Sequence, residues 1–382
     1  MRLLFSFAGG RGHFEPLVAI ANAARFDGHG VAFACAPSMA EVVAGAGFAT
    51  LPLGDAARFP SPLRLPLRPV DLERERQEFR ERFVARAAQY RAPILANLCA
   101  QWRPDVLVCD ETDYGAMIAA ESQGIPHVCV LVFAAGGLVR PEDVGDLLDL
   151  LRGEHRLAPD PAFAMPSRHL VLAPFPAALR DPGHPLPATA HCFSPYRNPV
   201  GRTPNPKLAG VAFRPEWPTV YFTLGTVFNL ESGDLFERVL RGLRELPANV
   251  RATVGTHIDP ADVGPQPSHV LVERFVAQAV VLPGCDLVVS HGGSGTLAAS
   301  LAHGKPGVLI PMGADQPLNA ARCEQLGVAC VLDPVCATAE DVREAAWSVL
   351  GSEAHRAAAA RFRDEFAALP DASLAVSLIV NL

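Results

Sequence analysis

The sequence predicts an α/β protein: two doubly wound, Rossmann-like domains facing across a cleft. Three observations carry this. The chain has 382 residues, too many for one ordinary core and suited to two domains. Its first third and its last 165 or so residues each alternate short apolar runs with helical stretches through Gly-bearing loops, the pattern of a parallel sheet covered on both faces. Between the two series, Pro174 to Pro218 is dense in proline and low in periodicity, as a boundary region would be.

The elements follow in order. Leu3–Phe7 reads as a strand that ends in Gly9-Gly10-Arg11-Gly12. A helix opened by Glu15-Pro16 follows, with the proline in the first turn, where its missing N–H is tolerated. Val31–Cys35 is a strand and Ser38–Gly45 a helix. Asp71–Trp102 is a long helical stretch, charged at first and more apolar later. Asp105–Asp110 is a buried strand, Tyr114–Ser122 a helix, and His127–Val132 a strand. Residues 133–168 break the rhythm, with one short helix near Asp143–Leu151. The second series runs Thr219–Leu224 (strand), Leu235–Leu246 (helix), Val250–Val254 and His269–Val272 (strands), and Asp286–Ser290 (strand). It continues with Gly295–His303 (helix), Gly307–Ile310 (strand) and Asn319–Leu326 (helix). Two or three helices follow from Thr338. The expected domains are 1–200 and 219–365, joined by a linker at 201–218. A C-terminal helix in 366–382 is expected to pack back on the first domain.

Composition narrows the function. Hydrophobic residues make up 49% and charged residues 19%, so the chain buries large cores and is not disordered. A net charge of −7 without any Lys/Arg block excludes nucleic acid and a stable membrane contact as expected partners. The nine cysteines form no C-x-x-C pair and several lie in apolar runs, which reads as buried thiols in a reducing cytoplasm. No apolar run reaches the roughly 18 residues of a membrane span, and the apolar N-terminus turns into a glycine loop too soon for a signal peptide.

An anionic ligand must then be held by local devices, and one is visible. The strand Asp286–Ser290 runs into His291-Gly-Gly-Ser-Gly-Thr296, which opens a helix. Such a unit aims backbone N–H groups and the positive end of the helix dipole at a bound anion. Gly292, Gly293 and Gly295 permit close approach; Ser294, Thr296 and His291 add side-chain donors. The pattern is neither the dinucleotide G-x-G-x-x-G nor a P-loop.

Arg274-Phe-Val-Ala-Gln278, Asp286–Thr296, Gly304-Lys-Pro and Pro311-Met-Gly-Ala-Asp315-Gln316-Pro-Leu-Asn319, taken in order, resemble the donor signature of family 1 glycosyltransferases. These are inverting enzymes of the GT-B fold, and the likeness is greatest to the actinobacterial branch that decorates antibiotics. The resemblance implies that His291, Gly292, Gly293, Ser294, Gly295 and Thr296 bind the diphosphate, with Thr226 near a phosphate from the other side. It places Phe275, Val276 and Gln278 at the base, and Asp315 and Gln316 on the hydroxyls of the donor sugar. Arg274 and Ala277 depart from the family pattern, so the base contact is where this chain should differ.

The resemblance also points to His13 and Asp110 as a catalytic dyad. A base must take the acceptor's proton as its oxygen attacks, and an imidazole titrates in the useful range. A carboxylate behind it fixes the tautomer and stabilises the imidazolium. Glu111 and Asp113 are close enough to Asp110 to take that place, and Asp110 could instead cap the helix that follows. His29 reads as a turn residue and His127 as a core residue; the remaining histidines lack metal spacing. No metal and no cofactor are implied, since helix-end donors stabilise the leaving diphosphate.

Acceptor recognition should come from the first domain, with Phe79, Phe83, Tyr114, Phe133 and Met165 as candidates for an apolar pocket. The implied reaction moves a sugar, expected to be a deoxysugar, from a dTDP-sugar or UDP-sugar to a hydroxyl of a small aglycone such as a polyketide or macrolide. C-transfer to an aromatic polyketide and a GT-B nucleotide-sugar epimerase are the alternatives. The expected partners are that nucleotide sugar and the aglycone, with a homodimer as the candidate assembly.

Overall fold

Five residues, Arg2–Ser6 (β1), start the first sheet, and four of them are buried because a strand between two neighbours in a covered sheet is apolar on both faces. The computed structural model describes residues 1–54, 65–196, 213–226 and 228–382. β1 pairs in parallel with Gly30–Cys35 (β2) and with Val106–Asp110 (β4). Ala49–Pro52 (β3), His127–Val130 (β5), Leu170–Ala173 (β6) and Ala190–Cys192 (β7) complete a parallel sheet of order β3-β2-β1-β4-β5-β6-β7. The strand order reverses between β1 and β4, and in open parallel sheets the ligand crevice lies beyond the carboxyl ends of the strands at such a point. His13 and Asp110 sit there.

The second sheet repeats the device. Thr219–Thr223 (β8), Asn249–Thr253 (β9), Val270–Glu273 (β10), Leu287–Ser290 (β11), Gly307–Leu309 (β12) and Ala329–Val331 (β13) take the order β10-β9-β8-β11-β12-β13, all parallel. Here the reversal lies between β8 and β11. Gly225-Thr226 follows β8, and His291 with its glycines follows β11.

The chain forms two compact units, 1–59 with 73–200 and 369–382, and 60–72 with 201–368. Segment 60–72 therefore interrupts the expected first domain. Among its described residues, Leu65 exchanges backbone hydrogen bonds with Leu230 and Gly233, and Leu67 packs under the second core. Most of the expected linker, 201–212, lies outside the described residues. The last helix, Ala372–Val380, buries Ala375, Val376 and Ile379 in the core of the first unit against the helix Arg11–Phe26. Asp371 caps it by accepting from the Ser373 amide at 3.0 Å.

Other elements depart from expectation for local reasons. The first helix begins at Arg11, so Pro16 sits in its second turn and not at its opening. Strands β3, β6, β7 and β13 have three or four residues each, too short to show periodicity. The long helical stretch is continuous but not uniform: Leu72–Phe79 passes into wider π-type turns over Arg80–Ala88 and returns to α geometry over Gln89–Trp102. Such π segments tend to occur where side chains are re-aimed at functional sites. Phe79 and Phe83, one before and one within it, stack ring on ring at 4.9 Å.

Candidate active site

β1 and β4 are neighbours, so the loop after one meets the end of the other. The His13 Nδ1 lies 3.1 Å from the Asp110 Oδ1, although 97 residues separate them. Asp110 is fully buried, while the His13 side chain keeps 18% exposure. The Asp110 carboxylate is fully engaged. Its Oδ2 accepts from the Ala8 amide at 2.8 Å, and its Oδ1 accepts from the Thr112 amide at 2.7 Å and the Thr112 hydroxyl at 2.5 Å. Burial works against the charge of Asp110, but His13, Thr112 and the Ala8 amide outweigh it and hold the carboxyl below the usual carboxylate range. A charged Asp110 therefore faces the His13 imidazole, with the Thr112 hydroxyl 3.3 Å from the same Nδ1.

The alternatives to Asp110 resolve by geometry. Asp113, not Asp110, caps the helix Tyr114–Ser122, accepting from the Ala116 amide. It is also paired with the buried Arg91 at 2.6 Å and accepts from Ser6 at 2.7 Å. Glu111 turns away and accepts from the amides of Val132 at 2.5 Å and Phe133 at 2.6 Å. Sequence reasoning missed Thr112 and Arg91. A Thr two residues after the Asp was an available signal; the Arg91–Asp113 pair, 22 residues apart, was not.

Of the acceptor candidates, three gather around the imidazole. Phe83 stacks on His13 at 5.6 Å, Phe133 meets its edge at 6.3 Å, and Phe79 touches both phenylalanines. All five are buried, and the other two pack away from the imidazole. Tyr114 is fully buried between Phe79 and Phe163. Met165 gives its carbonyl to His127 at 2.8 Å and its sulfur to Arg152 at 3.3 Å, so it braces the segment after the helix Pro141–Glu154 and does not line a pocket.

In the second unit, β11 delivers the glycine loop to the helix Ser294–Ala302, with Gly293 at the N-cap. The first-turn amides of that helix have no intrahelical partners and face outward. The His291 ring is wedged between two glycines: a Cβ on Gly225 would come within 2.6 Å of it, and one on Gly293 within 2.4 Å. Burial pushes its pKa down to about 4, with the Thr223 backbone pulling the other way. The imidazole is therefore neutral at physiological pH. Its Nδ1 is buried with no hydrogen-bond partner among the described residues.

Expected ligand donors are partly spent on the protein. The Ser294 hydroxyl donates to the Asp315 carboxylate at 2.7 Å. Thr296 accepts from Gln278 at 2.9 Å, so Gln278 positions the helix start and is not aimed at a base. Gln316 is buried, and its Oε1 accepts from the Met312 amide at 2.8 Å. Asn319, one turn after Asp315 and fully buried, lies within reach of the Gly292 carbonyl, Ser294 Oγ and Asp315 Oδ2 at 2.9, 3.0 and 2.8 Å. It ties the glycine loop to the Asp315 loop, a role absent from the expected site list. Phe275 is exposed, Val276 partly so, and Thr226 is exposed beside Gly225. Arg274 holds the loop after β9 through the Ile258 carbonyl at 2.9 Å and Asp259 at 2.5 Å, which keeps its charge off the neighbouring Phe275 face.

The chain is similar to known proteins. Residues 237–382 match the family model described as erythromycin biosynthesis protein CIII-like, C-terminal domain. The whole chain is 27% identical to 3-alpha-mycarosylerythronolide B desosaminyl transferase of Saccharopolyspora erythraea, covering 98% of that protein. Ninety-seven per cent of the chain is 29% identical to demethyllactenocin mycarosyltransferase of Streptomyces fradiae, covering 84% of it. Among solved structures, the spinosyn rhamnosyltransferase SpnG superposes with a TM-score of 0.81 at 23% identity over 100% of both chains. The glycosyltransferase VinC, solved in complex with dTDP, does so with a TM-score of 0.75 at 24% identity over 100% of this chain and 99% of its own. The chain is a glycosyltransferase similar to natural-product glycosyltransferases. Its fold is GT-B, with one parallel-sheet unit carrying the dyad and the other the nucleotide-type loop. Among the described residues, no helix of this glycosyltransferase is long and apolar enough to cross a membrane.

Proposed function

We propose that this glycosyltransferase works with inversion, moving a deoxysugar from a dTDP-sugar to a hydroxyl of an apolar polyketide or macrolide aglycone. The contact between His13 and the buried Asp110 carries the reading. A neutral imidazole backed by a charged carboxylate removes the acceptor proton as the oxygen attacks the anomeric carbon from the face opposite the diphosphate, and the proton ends on His13. Asp110 stabilises the imidazolium. The helix Ser294–Ala302, with the neutral His291 beside it, takes the charge that builds on the leaving diphosphate. Phe79, Phe83 and Phe133, themselves buried, form an apolar wall beside His13, and His13 as base favours a hydroxyl nucleophile. The dTDP preference over UDP follows the relatives: VinC was solved with dTDP, and a TDP-daunosamine transferase of Streptomyces peucetius is 27% identical over the full chain.

A thermal-shift panel of dTDP, UDP, GDP and the corresponding glucose conjugates tests the donor. Stabilisation by dTDP, weaker with UDP and absent with GDP, is the expected order. No shift with any nucleoside diphosphate refutes the donor site. Donor isomerised or hydrolysed at full rate without acceptor refutes transfer.

A further inference from the structure

We propose that Glu111 and Arg180 form a hydrogen-bonded clamp that positions Phe133 beside the His13 imidazole and so sets affinity for the acceptor. The proposal rests on His13 lying at the acceptor end of the site. Phe133 is the residue whose ring edge meets His13 and also Phe79. Its peptide is held from both sides. The Glu111 carboxylate accepts from its amide at 2.6 Å and from the Val132 amide at 2.5 Å. The Arg180 guanidinium donates to its carbonyl at 2.6 Å. The Arg180 hydrogen bond is charge-assisted, and a Glu111 carboxyl oxygen can accept from both amides whether or not the group is ionised.

The surroundings are shaped for this clamp. β5 ends at Val130, Leu131 still donates to the Leu172 carbonyl at 2.9 Å, and the Asp181 amide donates to the Ala135 carbonyl at 3.0 Å; the Phe133 peptide between them is held by side chains. Arg180 fits only because Gly136 lacks a side chain: a Cβ there would come within 2.7 Å of the guanidinium carbon. Gly137 makes the same room for His184, whose carbonyl accepts from Arg180 at 3.0 Å. Both glycines have left-handed backbones, φ of 79° and 82°, which other residues adopt at a cost. Glu111 directly follows Asp110, so one strand end supplies the catalytic carboxylate and the carboxylate that fixes the wall beside it.

The test uses the full chain with dTDP-glucose as donor and 7-hydroxy-4-methylcoumarin as acceptor, whose fluorescence reports both binding and glycosylation. Glu111→Ala and Arg180→Met should each raise the acceptor KM and Kd at least tenfold. The donor KM and dTDP affinity should stay within twofold, because the nucleotide loop lies in the other unit. Glu111→Gln, whose amide oxygen can accept from both N–H groups, should restore the acceptor Kd to within about threefold of wild type. Wild-type acceptor affinity in Glu111→Ala or in Arg180→Met overturns the clamp, as does an equal rise in donor and acceptor constants. If Glu111→Ala fails to fold, judged by loss of dTDP binding, Arg180→Met and Glu111→Gln decide alone. His13→Ala serves as the separate control: loss of turnover in it with an unchanged Glu111→Ala defeats the clamp only, whereas full turnover in it defeats the site reading.

Discussion

The wedge of His291 between Gly225 and Gly293 gives a sharp prediction about two glycines that look alike in sequence. Gly293 has φ −63° and ψ 139°, a conformation alanine adopts freely, so Gly293→Ala carries no backbone strain. Its effect must be steric. The new Cβ would lie 2.4 Å from the His291 Nε2, about 1 Å inside ordinary contact. The ring cannot retreat, because Gly225 lies close against it. Overpacking of this kind costs about 1–3 kcal/mol, and the displaced imidazole no longer meets the diphosphate. Gly295→Ala is different: nothing lies within 4 Å of its Cβ, and it sits inside the first turn of a helix. Alanine is there neutral to slightly stabilising for the free protein, by at most about 1 kcal/mol. That open space is where the diphosphate is proposed to approach. Urea denaturation and dTDP titration calorimetry separate the two effects. Gly293→Ala should lose stability and bind dTDP at least tenfold more weakly, about 1.4 kcal/mol. Gly295→Ala should keep its stability and still bind dTDP more weakly. Wild-type stability and affinity in Gly293→Ala would refute the wedge. Wild-type affinity in Gly295→Ala would refute close approach of a diphosphate to that turn.

Further predictions concern the dyad and pH. His13→Ala should lower kcat by roughly 10²–10⁴-fold, the usual worth of a positioned base, and leave dTDP affinity unchanged in the same titration. Wild-type turnover would sink the dyad. His127 and His291 both have pKa values pushed down to about 4 by burial. A base with a depressed folded pKa contributes stability that is present above its unfolded value near 6.5 and is lost as pH falls toward 4. The loss is on the order of 3 kcal/mol for each fully buried ring. Glu111 runs the opposite way: burial raises its pKa to about 7. Its contribution is fully present below about 4.5 and is lost as pH rises through 7. Between about pH 4.5 and 6.5 the Glu111 loss opposes the gain from the two histidines, so Glu111→Gln should steepen the rise of the denaturation midpoint there. An unchanged slope in that variant would show that Glu111 is ionised without strain.

The sequence by itself determined what is local. Strand Leu287–Ser290, its glycine loop and the helix Ser294–Ala302 are contiguous, and an anion site at a helix start is a property of that short stretch. Alternating runs likewise revealed the parallel α/β class, because strands buried on both faces are continuously apolar. Strands of three or four residues, such as β7 and β13, carry too few residues for any pattern to register. The tertiary structure alone decided which distant side chains meet. The strand order placed β1 beside β4 and so brought His13 to Asp110. It settled that Asp113 serves as helix cap and partner of Arg91, and that Glu111 turns to the Phe133 peptide. It also turned Ser294 and Gln278 inward, as braces for the loop they were expected to extend. Propensity and periodicity act over a few residues, whereas a hydrogen bond between elements depends on strand order, register and twist, which no short segment encodes.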